Sequence, residues 1–296
     1  MSYQHKIGPA PTAAIYVFLA LFSIGCLLPF LFIMSGSFTD EMEIVRKGFA
    51  LVPSRLSYSA WVMLSHDLQT IIDGYVITVS VTVTGTFLSL LVTALMAYSL
   101  SVSTLKYRNV IAFYAFFTMI FSGGLVPWYI IVSNILRLRN TFLALILPYT
   151  INGWNMFLLR NFFRTIPKEI GESAKIDGAR EMTIFLRLML PLAKPGLATV
   201  GLFIALGFWN DWWLGLMLIE NRHLYPVQLL LRAVISNMQF LRSSVAQTIQ
   251  SDASRILPLE SVKMAICLVT IGPIIFLYPF VQRYFMKGII VGAVKG

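Results

Sequence analysis

Long apolar runs alternate with shorter polar stretches from one end of the chain to the other. Six runs, at about 13–34, 75–100, 109–132, 142–159, 195–219 and 262–284, approach or exceed the roughly 20 residues a helix needs to cross a bilayer. The pattern predicts an all-α, polytopic membrane protein whose six transmembrane helices form a single domain, 1–296. The first run is longer than the apolar core of about 7–15 residues in a cleaved signal, and no small-x-small site follows it, so a retained helix is expected. The fourth is short and interrupted by polar groups. In the third, Ser122-Gly123-Gly124-Leu125-Val126-Pro127 breaks the regularity; a bend facing a cavity and close helix packing both account for it. No internal repeat stands out.

Composition supports the same class. Of 296 residues, 57% are hydrophobic and 12% charged, whereas soluble domains carry about a quarter charged. The net charge of +10 raises nucleic acid as a partner. The basic residues are not gathered into one domain, however; they flank the apolar runs, where they fix orientation in a membrane. Cys26 and Cys267 each lie inside an apolar run, without metal-ligand spacing or a disulfide framework.

With the N-terminus cytoplasmic, Lys6, Lys106, Arg108, the basic residues of 160–194, Arg283, Lys287 and Lys295 fall on short inner segments. Asp40, Glu41, Glu43, Asp67, Asp73 and Asp252 then lie outside, so both termini are expected in the cytoplasm. The outer loops are 35–74 and 220–258. In the first, Thr39-Asp40-Glu41 is a helix start, and Ser57 precedes Trp61, Leu64 and Leu68 at helical spacing; short helices at the interface are expected. The second is long enough to touch an external partner, or to pack on its own protein.

Polar groups inside predicted spans are the candidate path. Tyr149, Asn152 and Asn155 follow an i, i+3, i+6 pattern along one face, as helix-bridging groups or as the lining of a watery path. In the fifth run, Trp209-Asn210-Asp211-Trp212-Trp213 carries the one acid well inside a span. On a continuous helix Gly207, Asp211 and Gly215 share a face that lets another backbone approach, with Trp209 and Trp213 about 200° away. A sugar could stack on those two tryptophans; if the helix ends early, they are interfacial belt residues instead.

No phosphate-binding loop, His-Glu-x-x-His or Gly-x-Ser-x-Gly occurs, and His5, His66 and His223 are scattered. No catalytic site, metal site or bound cofactor is expected on this chain. A transporter driven by ions or protons through Asp211 is the competing class, but such proteins usually show repeats and several intramembrane acids.

The polar stretch 166–195 is the candidate coupling element. Pro167 suits a first helical turn and Glu169 and Glu172 its positive end. Asp177-Gly178 then turns the chain, Asp177 being placed to cap a second helix from near Ala179 that stops at Pro191. Glu172-Ser173-Ala174, three residues, Gly178, nine residues, then Leu188-Met189-Leu190-Pro191 resembles the EAA signature of permease subunits in bacterial ABC importers, with Ser173 for Ala and Leu188 for Ile. The span pattern, the outer loop and the ending 278–288 resemble the maltose-type carbohydrate permeases. Residues 224–229 and 288–296 resemble the subgroup that serves complex or acidic oligosaccharides such as alginate fragments. The resemblance implies a type I importer permease fold in the inner membrane and a heterodimer with a second permease. It also implies two ATP-binding subunits that hold ATP and Mg, and a solute-binding protein that delivers the sugar. Under it, Glu172, Ser173, Ala174, Asp177, Gly178, Leu188 and Pro191 meet the ATPase.

Overall fold

The computed structural model describes residues 9–248 and 258–272, which are helices, turns and irregular chain apart from one isolated antiparallel bridge, Thr39 with Leu56. The chain divides into two compact units, Met1–Leu68 with Ala233–Gly272, and Gln69–Arg232 with Pro273–Gly296.

The first unit opens with α1, Pro9–Ser37. Phe18, Phe22 and Leu27 are exposed along it, as suits a helix solvated by lipid rather than water. Two short helices follow, α2 (Glu41–Lys47) and α3 (Ser59–Ser65), where the sequence places them. The Asp40 carboxylate accepts from Met42 N–H and so caps α2. Between these helices the chain is clasped. Glu43 accepts from the backbone N–H groups of Ser54 and Arg55. The Ser54 side chain above all, together with those two backbone bonds, holds the Glu43 carboxyl below its ordinary range.

Buried Glu41 has a different task. Its carboxylate accepts from Glu260 N–H at 2.9 Å and from both the N–H and the hydroxyl of Ser261 at 3.0 Å, at the start of a helix over 259–272. A carboxylate on the first N–H groups satisfies donors that have no partner within the helix. Glu41→Ala strands two N–H groups and leaves the buried Ser261 hydroxyl only the Pro258 carbonyl at 3.4 Å. We expect a loss of about 2–3 kcal/mol, read as a lower unfolding temperature of the purified chain, with Glu41→Gln intermediate. The remainder of the predicted sixth span, to 284, lies outside the described residues.

The second unit is built on α4, Leu68–Ser101, followed by α5 (Arg108–Ile120), α6 (Leu125–Ile135), a 3-10 stretch over 142–149, and α7 (Gly153–Thr165). Then come α8 (Lys168–Ile176), α9 (Glu181–Leu192), α10 (Lys194–Trp209), α11 (Trp213–Leu218) and α12, Val227–Thr248, which begins here. Only α1 and α4 are long and apolar enough to cross a membrane unbroken, among the described residues. Three further pairs qualify when each is taken as one bent segment: α5 with α6 at 113°, 142–149 with α7 at 54°, and α9 with α10 at 82°. The Gly-Gly-Pro interruption expected in the third run is the first of these bends, with Gly124 at φ +85.

Close packing comes from small residues opposite rings. A Cβ on Gly196 would lie 2.5 Å from Phe162, and one on Gly85 2.8 Å from Phe208, so only glycine lets these helices meet. Ala97, Leu145, Met156, Leu159, Phe185, Val200 and Leu214 fill the core between them. Arg160 donates from Nε to the carbonyl of Leu100 at 3.0 Å, closing the C-terminal end of α4.

Candidate functional site

The coupling stretch folds as two helices around one turn. Gly178 N–H reaches the Lys175 carbonyl and Ala179 N–H the Ala174 carbonyl, at 3.0 and 2.9 Å. With Gly178 at φ +80, this is a helix ended by paired bonds over a left-handed residue, and Ala174 and Ala179 are the small contact that accompanies it. The Glu-x-Ala…Gly spacing thus has a local cause: Ala174 supplies the accepting carbonyl and Gly178 the conformation that other residues resist. Asp177 ends α8 and does not cap α9; α9 begins at Glu181 behind Arg180, without a side-chain cap. Pro167 precedes α8 in extended conformation, one position earlier than expected. At the turn Glu172, Ser173, Asp177 and Gly178 are exposed, and Ile176 is 87% exposed.

Pro191 does not stop the helix. α9 continues to Leu192 because a π turn at Phe185–Met189 precedes it, with Leu190 N–H reaching back to the Phe185 carbonyl. Widening that turn eases the clash a proline ring makes with the carbonyl four residues before it. Leu188 is half-buried on this turn. The bend is braced from behind. Tyr98 of α4 donates to Glu181 at 3.0 Å, and Glu181 also pairs with Lys175. The Tyr98 ring packs on Phe163 and on Phe185, at 5.8 and 5.1 Å between centroids.

The second cluster sits where α10 ends. The expected continuous fifth helix is interrupted: α10 stops at Trp209, and the Asp211 carboxylate accepts from the N–H groups of Trp213 and Leu214, at 3.3 and 3.2 Å. Asp211 therefore serves the start of α11, and the shared face with Gly207 and Gly215 does not exist. Gly207 is open, while Gly215 lies against Leu229 and Pro226. Asn210 is bound back to the Leu206 carbonyl. Trp209 is buried, its indole nitrogen without a partner. The fourth run is broken as well. Tyr149 ends the 3-10 stretch, and Asn152 caps α7 by accepting from Asn155 N–H at 3.1 Å, so these three residues do not share a helix face.

Tyr149 and Asp211 nevertheless lie close enough to interact electrostatically. Trp213 joins them through α11 and stacks obliquely on Trp128 at 4.8 Å. Three residues that the sequence reading did not assign to the path complete the group: Trp128, and Trp212 with the Arg232 guanidinium 3.6 Å above its ring. The result is three indoles, a phenol, one carboxylate and one guanidinium around a helix break. Such a group can stack on a ring and hydrogen-bond hydroxyls. Among the described residues no three His, Cys, Asp or Glu side chains converge to hold a metal.

Helices that suit lipid, an exposed braced turn, and polar groups gathered at helix breaks define a polytopic transport subunit. The chain belongs to the family described as "Binding-protein-dependent transport system inner membrane component", which it matches over residues 68–291. It is therefore an inner-membrane permease component, a transport subunit without catalysis of its own. It is 38% identical to the Bacillus subtilis polygalacturonan/rhamnogalacturonan transport system permease protein YtcP, over 95% of this chain and 97% of that protein. It is 27% identical to the arabinooligosaccharides transport system permease protein AraQ of Halalkalibacterium halodurans, over 99% of this chain and 100% of that one. Among solved structures it is similar to a chain of a bacterial ABC transporter involved in the import of the acidic polysaccharide alginate. The TM-score is 0.79 at 27% identity, covering 96% of this chain and 100% of that one. The all-helical fold is thus that of an ABC importer permease.

Proposed function

We propose that this chain forms, with a second permease, the path of an ATP-driven importer for acidic oligosaccharides, and that the turn Ser173–Gly178 takes up motion from two ATP-binding subunits. ATP and Mg reside on those subunits. A solute-binding protein delivers the sugar from outside, to the loop 220–258. Six spans, both termini cytoplasmic and the coupling stretch 160–194 inside follow from the charge pattern. The observation that carries the coupling role is the turn itself. Its exposed face holds Glu172, Ser173, Asp177, Gly178 and a bare Ile176, while its back is tied to α4 through Tyr98 and Glu181. A push on the turn is thereby delivered to a membrane helix.

Support for the substrate class comes from likeness. Polygalacturonan and alginate, in the names of two similar proteins, are both uronic acid polymers. The group around Asp211 suits such a sugar: indoles stack on the apolar ring face, and Arg232 is a carboxylate partner. An ion-coupled role for Asp211 loses its motive, because the carboxylate is engaged by two backbone N–H groups.

The test is uptake into proteoliposomes holding the chain with its co-expressed partners and a binding protein. We expect labelled oligogalacturonide to enter only with ATP at the motor side. Uptake on a proton gradient alone overturns the energy source. Equal competition by a neutral arabino-oligosaccharide overturns the preference for acidic sugars.

A further inference from the structure

A cleft of about 320 Å³ opens between the end of α4, the connection 102–107, the end of α7 and the start of α8. Arg108, Arg164 and Lys168 line it from three different elements, together with Ser103 and Thr104. Among the described residues none of these three cations makes an ion pair, whereas Lys175 on the rim is engaged by Glu181. Glu172 is the single carboxylate among the lining residues. Arg108 and Arg164 lie close enough to Arg160 to repel it, so positive charge is concentrated here with Glu172 alone to offset it. The α8 N-terminus adds its dipole.

The same connection walls a second hollow of quite different character. A groove of about 230 Å³ is lined by Leu95, Met96, Leu100, Leu105 and Ile111, almost wholly apolar. Beyond it α5 exposes Val110, Phe113 and Phe117. A cationic cleft and an apolar groove on either side of one short connection, in a protein of the inner membrane, match the two halves of one molecule.

We propose that the cleft binds the phosphate of an anionic phospholipid headgroup, with an acyl chain in the groove, and that this lipid braces the start of the coupling helix. The Lys168 end of the site lies a helix length of about 13 Å from the turn at Gly178, while Glu172 and Lys175 form its rim toward the turn. A soluble phosphate compound shares the headgroup chemistry but has no use for the groove, which is why the lipid is favoured. The placement in the inner leaflet rests on the orientation proposed above; the binding itself does not depend on the substrate.

The test uses the full chain purified with its partner subunits and needs no transport. Native mass spectrometry after exposure to phosphatidylglycerol reads retained lipid, and we expect retention that millimolar inorganic phosphate leaves unchanged. Arg164→Gln with Lys168→Gln should weaken it roughly thirtyfold, since each cation near an anionic surface contributes about fivefold. Should that pair fail to assemble, Arg108→Gln alone is expected to weaken it about fivefold. Unchanged retention in the variants, equal retention of phosphatidylcholine, or displacement by inorganic phosphate overturns the proposal. A wrong substrate assignment changes none of these readings.

Discussion

Gly178→Val is expected to uncouple the permease from the proposed ATPase partners: substrate-stimulated ATP hydrolysis of the reconstituted complex should fall about tenfold or more, while the spans remain folded. The left-handed conformation at φ +80 costs an ordinary L-residue about 1–2 kcal/mol and a β-branched one more, which alone shifts the turn's population about tenfold. Among the described residues nothing lies within 4 Å of the position a Cβ would take. The substitution therefore acts on the backbone, and on whatever covers the turn, without a clash inside the subunit. Gly178→Asn separates these effects, because asparagine accepts the left-handed region more readily but still adds bulk. If strain is the cause, the asparagine variant recovers much of the coupling; if bulk against the ATPase is the cause, it fails as valine does. Full stimulation in Gly178→Val would remove the turn from the coupling path.

The sequence showed much of this turn and little of the second cluster, for different physical reasons. A left-handed helix end is a local event: glycine, the small residues flanking it and the proline thirteen positions on are all readable at fixed spacing. The same holds for Asp40 before α2 and for the Gly-Gly-Pro bend after α5. Helix breaks at Thr150–Asn152 and Asn210–Trp212 left weaker marks, the polar groups that interrupt the fourth run and the alternative of an early end to the fifth helix. Apolar residues flank both breaks, so hydropathy still reads a single span across each. A lone Asn or Asp does not say whether it faces a neighbour from within a helix or accepts from the first N–H groups of a new one. The π turn that carries α9 past Pro191 is likewise invisible, because it depends on how the turn before the proline relaxes. Trp128 with Trp213, and Trp212 with Arg232, are pairs far apart or on different elements, and only the fold brings them together.

Asp211 gives the sharpest test of the second cluster, because its two possible roles predict opposite rankings of two variants. As the acceptor for Trp213 and Leu214 N–H, it needs a side-chain oxygen and not a charge. Asparagine supplies that oxygen and is as good a helix-start acceptor as aspartate. Asp211→Asn should therefore keep ATP-driven uptake within about threefold of the parent chain, a loss of well under 1 kcal/mol. Asp211→Ala removes the acceptor from a half-buried break and leaves the two N–H groups unpaired, a loss of about 2 kcal/mol that should lower uptake roughly thirtyfold or more. A proton- or ion-carrying carboxylate would behave otherwise, since asparagine cannot titrate and both variants would be equally dead. Equal loss in the two variants, with the complex recovered in normal yield, would restore a charge-carrying role to Asp211 and sink the structural one.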